Sequence, residues 1–483
     1  TLLTFSARYV LMISHFWKCC IALGSETAKN QLNKKTFIMA VTPVIKVGIL
    51  SGKEIKFSLS GNFSDLRNDL LREGTYLASW QKGKVLLAAP DVEKSITPGT
   101  VYHPVDVTRG TFTLHNVMIG INFHWQKEED QVFRGSLQLL AENEGITAVN
   151  ILPVEDYLKS VISSEMSATA SAEMLKAHAV ISRSWLLAQI DKTKNLHKGT
   201  RGYKTLFKTE DEIIRWYDRE DHAYFDVCAD DHCQRYQGIT RSTTSLVEQA
   251  VNQTHGEILT YEGAICDARY SKCCGGVTEL FENTWEPFNH PYLQTIIDNP
   301  EVPEGYRMQL SDEVNARNWI LGQPPAFCNT DDRNVLLQVL NDYDQTTRDF
   351  FRWRVTYTVD ELSDLIKTRT GIDFGMIRDL LPVQRGASGR LIKLKVAGTR
   401  KTMTIGKELE IRKALSTTHL YSSAFVVEKT GEGADTRFTL HGAGWGHGVG
   451  LCQIGAAVMG VKGYSYKEIL LHYFRGAALG KRY

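Results

Sequence analysis

Excess charge of either sign is missing from this 483-residue sequence: 56 Lys and Arg face 55 Asp and Glu, a net charge of +1. That balance excludes the basic footprint by which proteins hold nucleic-acid backbones or acidic membrane surfaces, so no nucleic-acid partner is expected. Proline is scarce, at 12 residues, and the chain has neither an internal repeat nor a low-complexity tract, which excludes fibrous and disordered classes. A Gly-Lys-Ser/Thr phosphate loop and a dinucleotide glycine fingerprint are both missing. So is a clean membrane span. The opening TLLTFSARYVLMISHFWKCCIALG has the length of a signal sequence, but Arg8, His15 and Lys18 break its apolar run and no small-residue cleavage site follows. Residues 1–38 are therefore expected to stand outside the fold, as an extraneous extension or a degenerate export segment.

What is present suits a soluble globular protein of two or three domains, with 43% hydrophobic residues and enough chain for a sizeable core. From Val44 to about Gly145 the pattern has period two, in VIKVGIL, EIKFSLS, GKVLLAA, GTFTLHNVMIGINFHW and GSLQLLA, which predicts a β-rich domain over 43–145. ITAVNIL adds a strand that runs through Pro153 into a helix. A second helix, roughly Ala170 to Ile190, follows a short corner. The stretch near 301–348 turns polar and reads as an insertion. Strands then return, and the glycine-rich GAGWGHGVGLCQIGAA leads into a last helix. The fold class expected is α+β: an N-terminal β-rich domain, then a mixed α/β catalytic domain over 146–483.

Four constellations carry chemistry. In the first helix Val154, Leu158, Val161 and Ile162 fall on one face, and the next member of that series is Glu165, a carboxylate where a core residue is expected. Such a group suits a general acid; the plain alternative is a cap or a pairing with Arg183. In HAYFDVCADDHCQRYQG the residues His222, Cys228, His232 and Cys233 offer the thiolates and imidazoles of a zinc site, or else buried reduced thiols. In ARYSKCCGGVTE the residues Tyr270, Lys272 and Thr278 would present donors around a glycine turn, toward sugar hydroxyls or a developing oxyanion. In GWGHGVGLCQIGA, glycines 444, 446, 448 and 450 leave the backbone bare for a ligand or another strand and set His447 at the loop's centre. The nine cysteines, Cys19, Cys20, Cys228, Cys233, Cys266, Cys273, Cys274, Cys328 and Cys452, are odd in number and partly adjacent. Metal binding or free buried thiols fit them better than a disulfide framework.

VEDYLKSVISSEMS followed by LKAHAVISRSW, then YSKCCGGVTE with HPYL, SGR at 388–390, LYSSAF at 420–425 and GWGHGVGLCQIGA together resemble the SpoIID/LytB family of the bacterial cell wall, over residues 146–483. The resemblance implies a lytic transglycosylase that cleaves MurNAc–GlcNAc bonds of peptide-stripped peptidoglycan glycan strands in the cell envelope or periplasm, with Glu165 as its acid. It implies supporting roles for Arg183, Tyr270 and Lys272 and a structural zinc ion at the Cys/His cluster. His447 and Gln453 are expected to line the cleft of Glu165. Where the family carries Pro, Ser and Ser this chain has Ser167, Cys274 and Cys452. Ordinary glycoside hydrolysis needs two carboxylates and one persuasive candidate is present, whereas a transglycosylase attacks with the sugar's own hydroxyl and needs one. The rival reading is a peptidoglycan binder that activates a cell-wall amidase without cutting; a zinc hydrolase is disfavoured because no HExxH-like base accompanies the cluster. Glu173 and the acids around Asp230 are the fallback acids.

Overall fold

The computed structural model describes residues 41–483 apart from 91, 122–125, 143, 168–169, 197–203, 217–221, 231, 242–243 and 341–348. The expectation for residues 1–38 lies outside the described residues. Strands and helices alternate in the α+β manner expected. Two sheets, antiparallel apart from one short edge strand, open the fold. One has six strands, in the order Lys127–Arg134, Thr111–Ile119, Glu54–Ser60, Gly74–Gln81, Lys84–Ala89, Val92–Ile96. The other centres on Val44–Gly52, Gly145–Pro153 and Ser136–Glu142, and the inward residues of both, among them Ile55, Phe57, Phe112, Leu114, Phe133, Leu137 and Ala148, form one apolar interior. Alternating burial along Glu54–Ser60 and Thr111–Ile119 is the period-two signal made physical.

The chain does not part at residue 145. Gly145–Pro153 lies between Val44–Gly52 and Ser136–Glu142 in one sheet, and the short strand Val227–Cys228 adds in parallel to the outer edge of Val44–Gly52. Residues 42–483 form one compact unit.

Pro153, in an extended conformation, starts helix α1 (Val154–Glu165), whose first turn carries Glu155 and Asp156. Acids there suit the positive end of the helix dipole. Val154, Leu158, Val161 and Ile162 are fully buried, each stabilising by about 1.5–3 kcal/mol. Extended backbone at Met166 stops the helix, leaving Glu165 as its last residue. Helix α2 (Ala172–Leu196) is buried on nearly all sides between Ala177 and Leu187. It packs on α1, on α3 (Ser245–Gln253), on the strand Glu257–Tyr261 and on the C-terminal helices.

Surrounded in this way, α2 must pair every polar side chain it carries. Arg183, 0% exposed, forms a two-pronged ion pair with Glu155, Nε to Oε1 at 2.9 Å and Nη2 to Oε2 at 2.7 Å. The Tyr483 hydroxyl and the Gly256 amide donate to the same Oε1.

The expected insertion at 301–348 contains two helices, α4 (Glu313–Leu321) and α5 (Arg333–Val339), each capped by an aspartate. A second apolar cluster lies under α6 (Val359–Thr370), α7 (Glu408–Ala414) and the strands Ile377–Arg385, Leu391–Gly398 and Thr402–Gly406. The chain closes with α8 (Gln453–Val461) and α9 (Tyr466–Tyr473). Among the described residues no helix is long and apolar enough to cross a membrane.

Burial opposes the charge of Glu155, but the hydrogen bond and charge of Arg183, with Tyr483 and Gly256, hold its carboxyl below the usual range. This pair thus stabilises the fold fully above the unfolded value of about 4.3, and the contribution is lost as pH falls through the lowered folded value. Glu155→Gln, which strands the Arg183 charge in the interior, is expected to destabilise by about 3–5 kcal/mol in urea unfolding at pH 7. An unchanged midpoint would show that the pair does not hold α1 to α2.

Candidate functional site

Glu165 is half-buried at the end of α1, and two segments remote in sequence converge on its Oε1. The backbone N–H of Arg235 donates at 3.0 Å and the Tyr270 hydroxyl at 3.3 Å. Burial, then the charge of Glu165, pushes the Tyr270 phenol well above its usual range, so it remains a donor throughout the physiological span. Gln234, one residue before Arg235, accepts from the Tyr157 hydroxyl of α1 at 3.3 Å.

Behind Tyr270 lies a second row. His178 of α2 packs edge-on to the Tyr270 ring at 4.8 Å between centroids. The Gln453 amide nitrogen meets His178 Nε2 at 3.2 Å, and Ser182 Oγ lies 3.1 Å from Nδ1. With the Gln453 amide donating to Nε2, Nδ1 is the ring nitrogen that carries the proton toward Ser182. Burial, then the charge of Lys272, drives His178 down to about 3, so it is neutral. Lys272 Nζ donates at 2.8 Å to the carbonyl of Val339, the last residue of α5. Helix α5 also holds the turn after Glu165: Gln338 accepts from the Ser167 amide through its carbonyl (3.1 Å) and from the Ser171 amide through its side chain (3.2 Å).

The structure thus gathers Tyr270 directly, and Lys272 and Gln453 through partners, around Glu165. Three further expected members have hydrogen-bond partners other than Glu165. Arg183 pairs with Glu155, ten residues before Glu165 on α1 and therefore about 15 Å along the axis. Thr278 is buried and fully engaged, donating to the Gln294 carbonyl and accepting from the Ile296 amide. His447 accepts from the Val449 amide at 3.0 Å and packs edge-on against Trp285, and burial, then Arg269, holds it well below the usual histidine range. The alternating glycines beside it have φ of +77°, +98°, +77° and +73° at 444, 446, 448 and 450. A Cβ at 448 would run into the Arg390 guanidinium and one at 450 into the Arg269 carbonyl, so the bare backbone admits neighbouring chain.

Two residues before Arg235 ends the Cys/His cluster. Its Cys233 Sγ lies 3.5 Å from His222 Nε2 and 3.6 Å from His232 Nδ1, Cys228 Sγ lies 3.8 Å from His232 Nδ1, and all four donor atoms fall within 4.8 Å of one another. Zinc with Zn–S of about 2.3 Å and Zn–N of about 2.0 Å separates tetrahedral ligand atoms by about 3.4–3.8 Å, so these residues fit a closed zinc site. The strand pairing of Val227–Cys228 with Val47–Gly48 anchors it to the sheet. A groove of about 440 Å³, bounded by residues of the strands at 48–51 and 117–119, by His232 and by Arg235, runs beside the cluster.

Sequence reasoning missed the Arg235 amide, which donates to Glu165, and Gln234 and His178, which contact Tyr157 and Tyr270 beside it. A main-chain donor has no side-chain signature; the available clue was that QR follows directly on the last metal-type ligand.

A family model for stage II sporulation protein matches residues 142–261, the stretch holding α1, α2 and the Cys/His cluster, and a model of a domain of unknown function matches 279–450. An uncharacterized protein of Brachyspira hyodysenteriae is 27% identical over 71% of this chain and 71% of its own length. The amidase enhancer of Bacillus subtilis is 25% identical over 67% of this chain but only 40% of its own length, and the stage II sporulation protein D of Bacillus amyloliquefaciens is 22% identical over 69% and 76%. The chain is thus similar, over residues 142–261 and across these relatives, to the SpoIID/LytB family.

Gln453→Leu removes the donor to a fully buried imidazole nitrogen. It is expected to destabilise the protein by about 1–3 kcal/mol by chemical denaturation. Wild-type stability in this variant would mean that the row behind Tyr270 is not held by this bond.

Proposed function

We propose that the protein is a peptidoglycan lytic transglycosylase in which Glu165 acts first as general acid and then as general base on peptide-stripped glycan strands. The observation that carries this reading is a half-buried carboxylate whose Oε1 accepts from donors of two remote segments, the Arg235 amide and the Tyr270 hydroxyl. Similarity to the SpoIID/LytB family supports a cell-wall role and hence work in the cell envelope.

In this scheme Glu165 protonates the glycosidic oxygen as the C1–O bond breaks. The C6 hydroxyl of the same muramic residue closes on C1 and returns its proton to Glu165, so the acid is regenerated and no water is consumed. Holding that hydroxyl on the reacting ring makes the attack intramolecular, which replaces the second carboxylate of a hydrolase. His222, Cys228, His232 and Cys233 would hold zinc in a structural role, fixing the segment that supplies Gln234 and the Arg235 amide.

A second reading, a binder that stimulates a cell-wall amidase, is favoured by the name of the amidase-enhancer relative. Glu165→Gln separates the two. Its fold should survive and its release of fragments from peptide-stripped glycan should fall by at least ~10²-fold, the low end of general acid catalysis. A variant that cuts as fast as wild type would remove Glu165 from the chemistry and return attention to Glu173 or Asp230; no product from either protein would favour the binder.

Metal removal supplies an independent check. Stripping the zinc ion of this Cys/His cluster with a chelator is expected to lower cleavage by about 10²-fold through misplacement of the Arg235 amide, with recovery on adding zinc. Full activity in a Cys228→Ser/Cys233→Ser protein shown by elemental analysis to lack metal at this cluster would contradict the role given to it.

A further inference from the structure

We infer that the protein holds a second, fully buried site for one soft divalent cation of the zinc class, formed by Cys274, Cys328, Cys452 and Asp298. The four residues come from four separate stretches of chain and are 2%, 1%, 0% and 0% exposed. Their three sulfurs and a carboxylate oxygen lie within 4.8 Å of one another, with Cys274 Sγ and Cys328 Sγ 3.6 Å apart. Thiolates on a tetrahedral zinc ion are about 3.8 Å apart. Cys273 is equally buried but does not belong to the converging set.

Asp298 is the decisive member. A carboxyl at 0% exposure either keeps its proton, toward which burial pushes Asp298, or is answered by a cation, and no lysine or arginine among the described residues pairs with it. The nearest basic group is His472, with Nε2 3.8 Å from Oδ1. Neutral donors instead aim the carboxylate: the Tyr473 hydroxyl at 2.6 Å to Oδ1 and the Cys328 amide at 3.0 Å to Oδ2. Such outer hydrogen bonds orient a ligating carboxylate. Gly455 of α8 keeps room for it, since a Cβ there would stand 2.5 Å from Oδ2 and 2.7 Å from Oδ1. A Cys274–Cys328 disulfide would leave the third thiol and the buried carboxylate unanswered; a divalent cation satisfies all four.

The cation's place in the fold gives it a task. Ser271 and Cys452 are paired residues of the two-stranded parallel ladder of Tyr270–Ser271 with Leu451–Cys452, and the Cys274 amide donates to Cys452 Sγ at 3.2 Å. Bridging Cys274 to Cys452 locks together the segments that carry Tyr270 and Lys272 on one side and Gln453 on the other. The inference stands on this cluster alone and does not depend on glycan cleavage.

The test uses the full chain purified without chelator. Elemental analysis should find two zinc ions per chain, and Cys228→Ser/Cys233→Ser should keep one of them. Cobalt(II) exchanged into that variant should give intense thiolate-to-metal charge-transfer bands and tetrahedral d–d bands, and adding Cys328→Ser should abolish both. If the triple variant does not fold, the cobalt spectrum of the double variant decides alone. A double variant that takes up neither zinc nor cobalt, or a Cys274–Cys328 disulfide in non-reducing peptide maps, would overturn the site.

Discussion

Two hydrogen bonds to one oxygen atom, Glu165 Oε1, are the constraint on which the arrangement turns. The Arg235 amide and the Tyr270 hydroxyl arrive from segments 70 and 105 residues away in sequence. Each must be held by its own support or the carboxylate loses its orientation. Arg235 follows the Cys/His cluster that is anchored on the first strand of the sheet. Tyr270 lies in a parallel ladder with Leu451 and is backed by His178 and Gln453. The site is therefore a meeting point of rigid elements, which is what transfer of a proton at a defined atom requires.

The same logic explains why α2 is polar where it is most buried. A helix surrounded by other elements normally presents apolar residues on all sides. His178, Ser182, Arg183 and Ser184 are all at 0% exposure, and each has a partner in a different neighbour or within the helix. Arg183 fixes α1 through Glu155, Ser184 receives the Leu259 amide of the adjoining strand, and His178 reaches α8 through Gln453. Stability and positioning run through one helix.

Much of this was legible in the chain. Period-two runs located Glu54–Ser60 and Thr111–Ile119, because each buries one face and exposes or half-buries most of the other. The apolar series ending in Glu165 located the carboxylate, because a charge in a buried stripe breaks the pattern. The strand Lys127–Arg134, with KEED at its start, carried too little alternation to be recognised and exists through its pairing with Thr111–Ile119. The supporting role of Arg183 rests on the resemblance alone; its pairing with Glu155 at the start of α1 is not visible in sequence spacing. Cys274 and Cys452 read as lost hydroxyls when seen singly; only the fold brings them to Cys328 and Asp298.

The central claim is that the carboxylate works without water as a reactant, and oxygen-18-labelled water tests it most directly. Peptide-stripped glycan strands digested in that water should yield muramic ends lighter by one water molecule, the anhydro form, and free of label. Labelled, hydrated reducing ends would make the protein a hydrolase with an undiscovered second catalytic group, and would contradict the account.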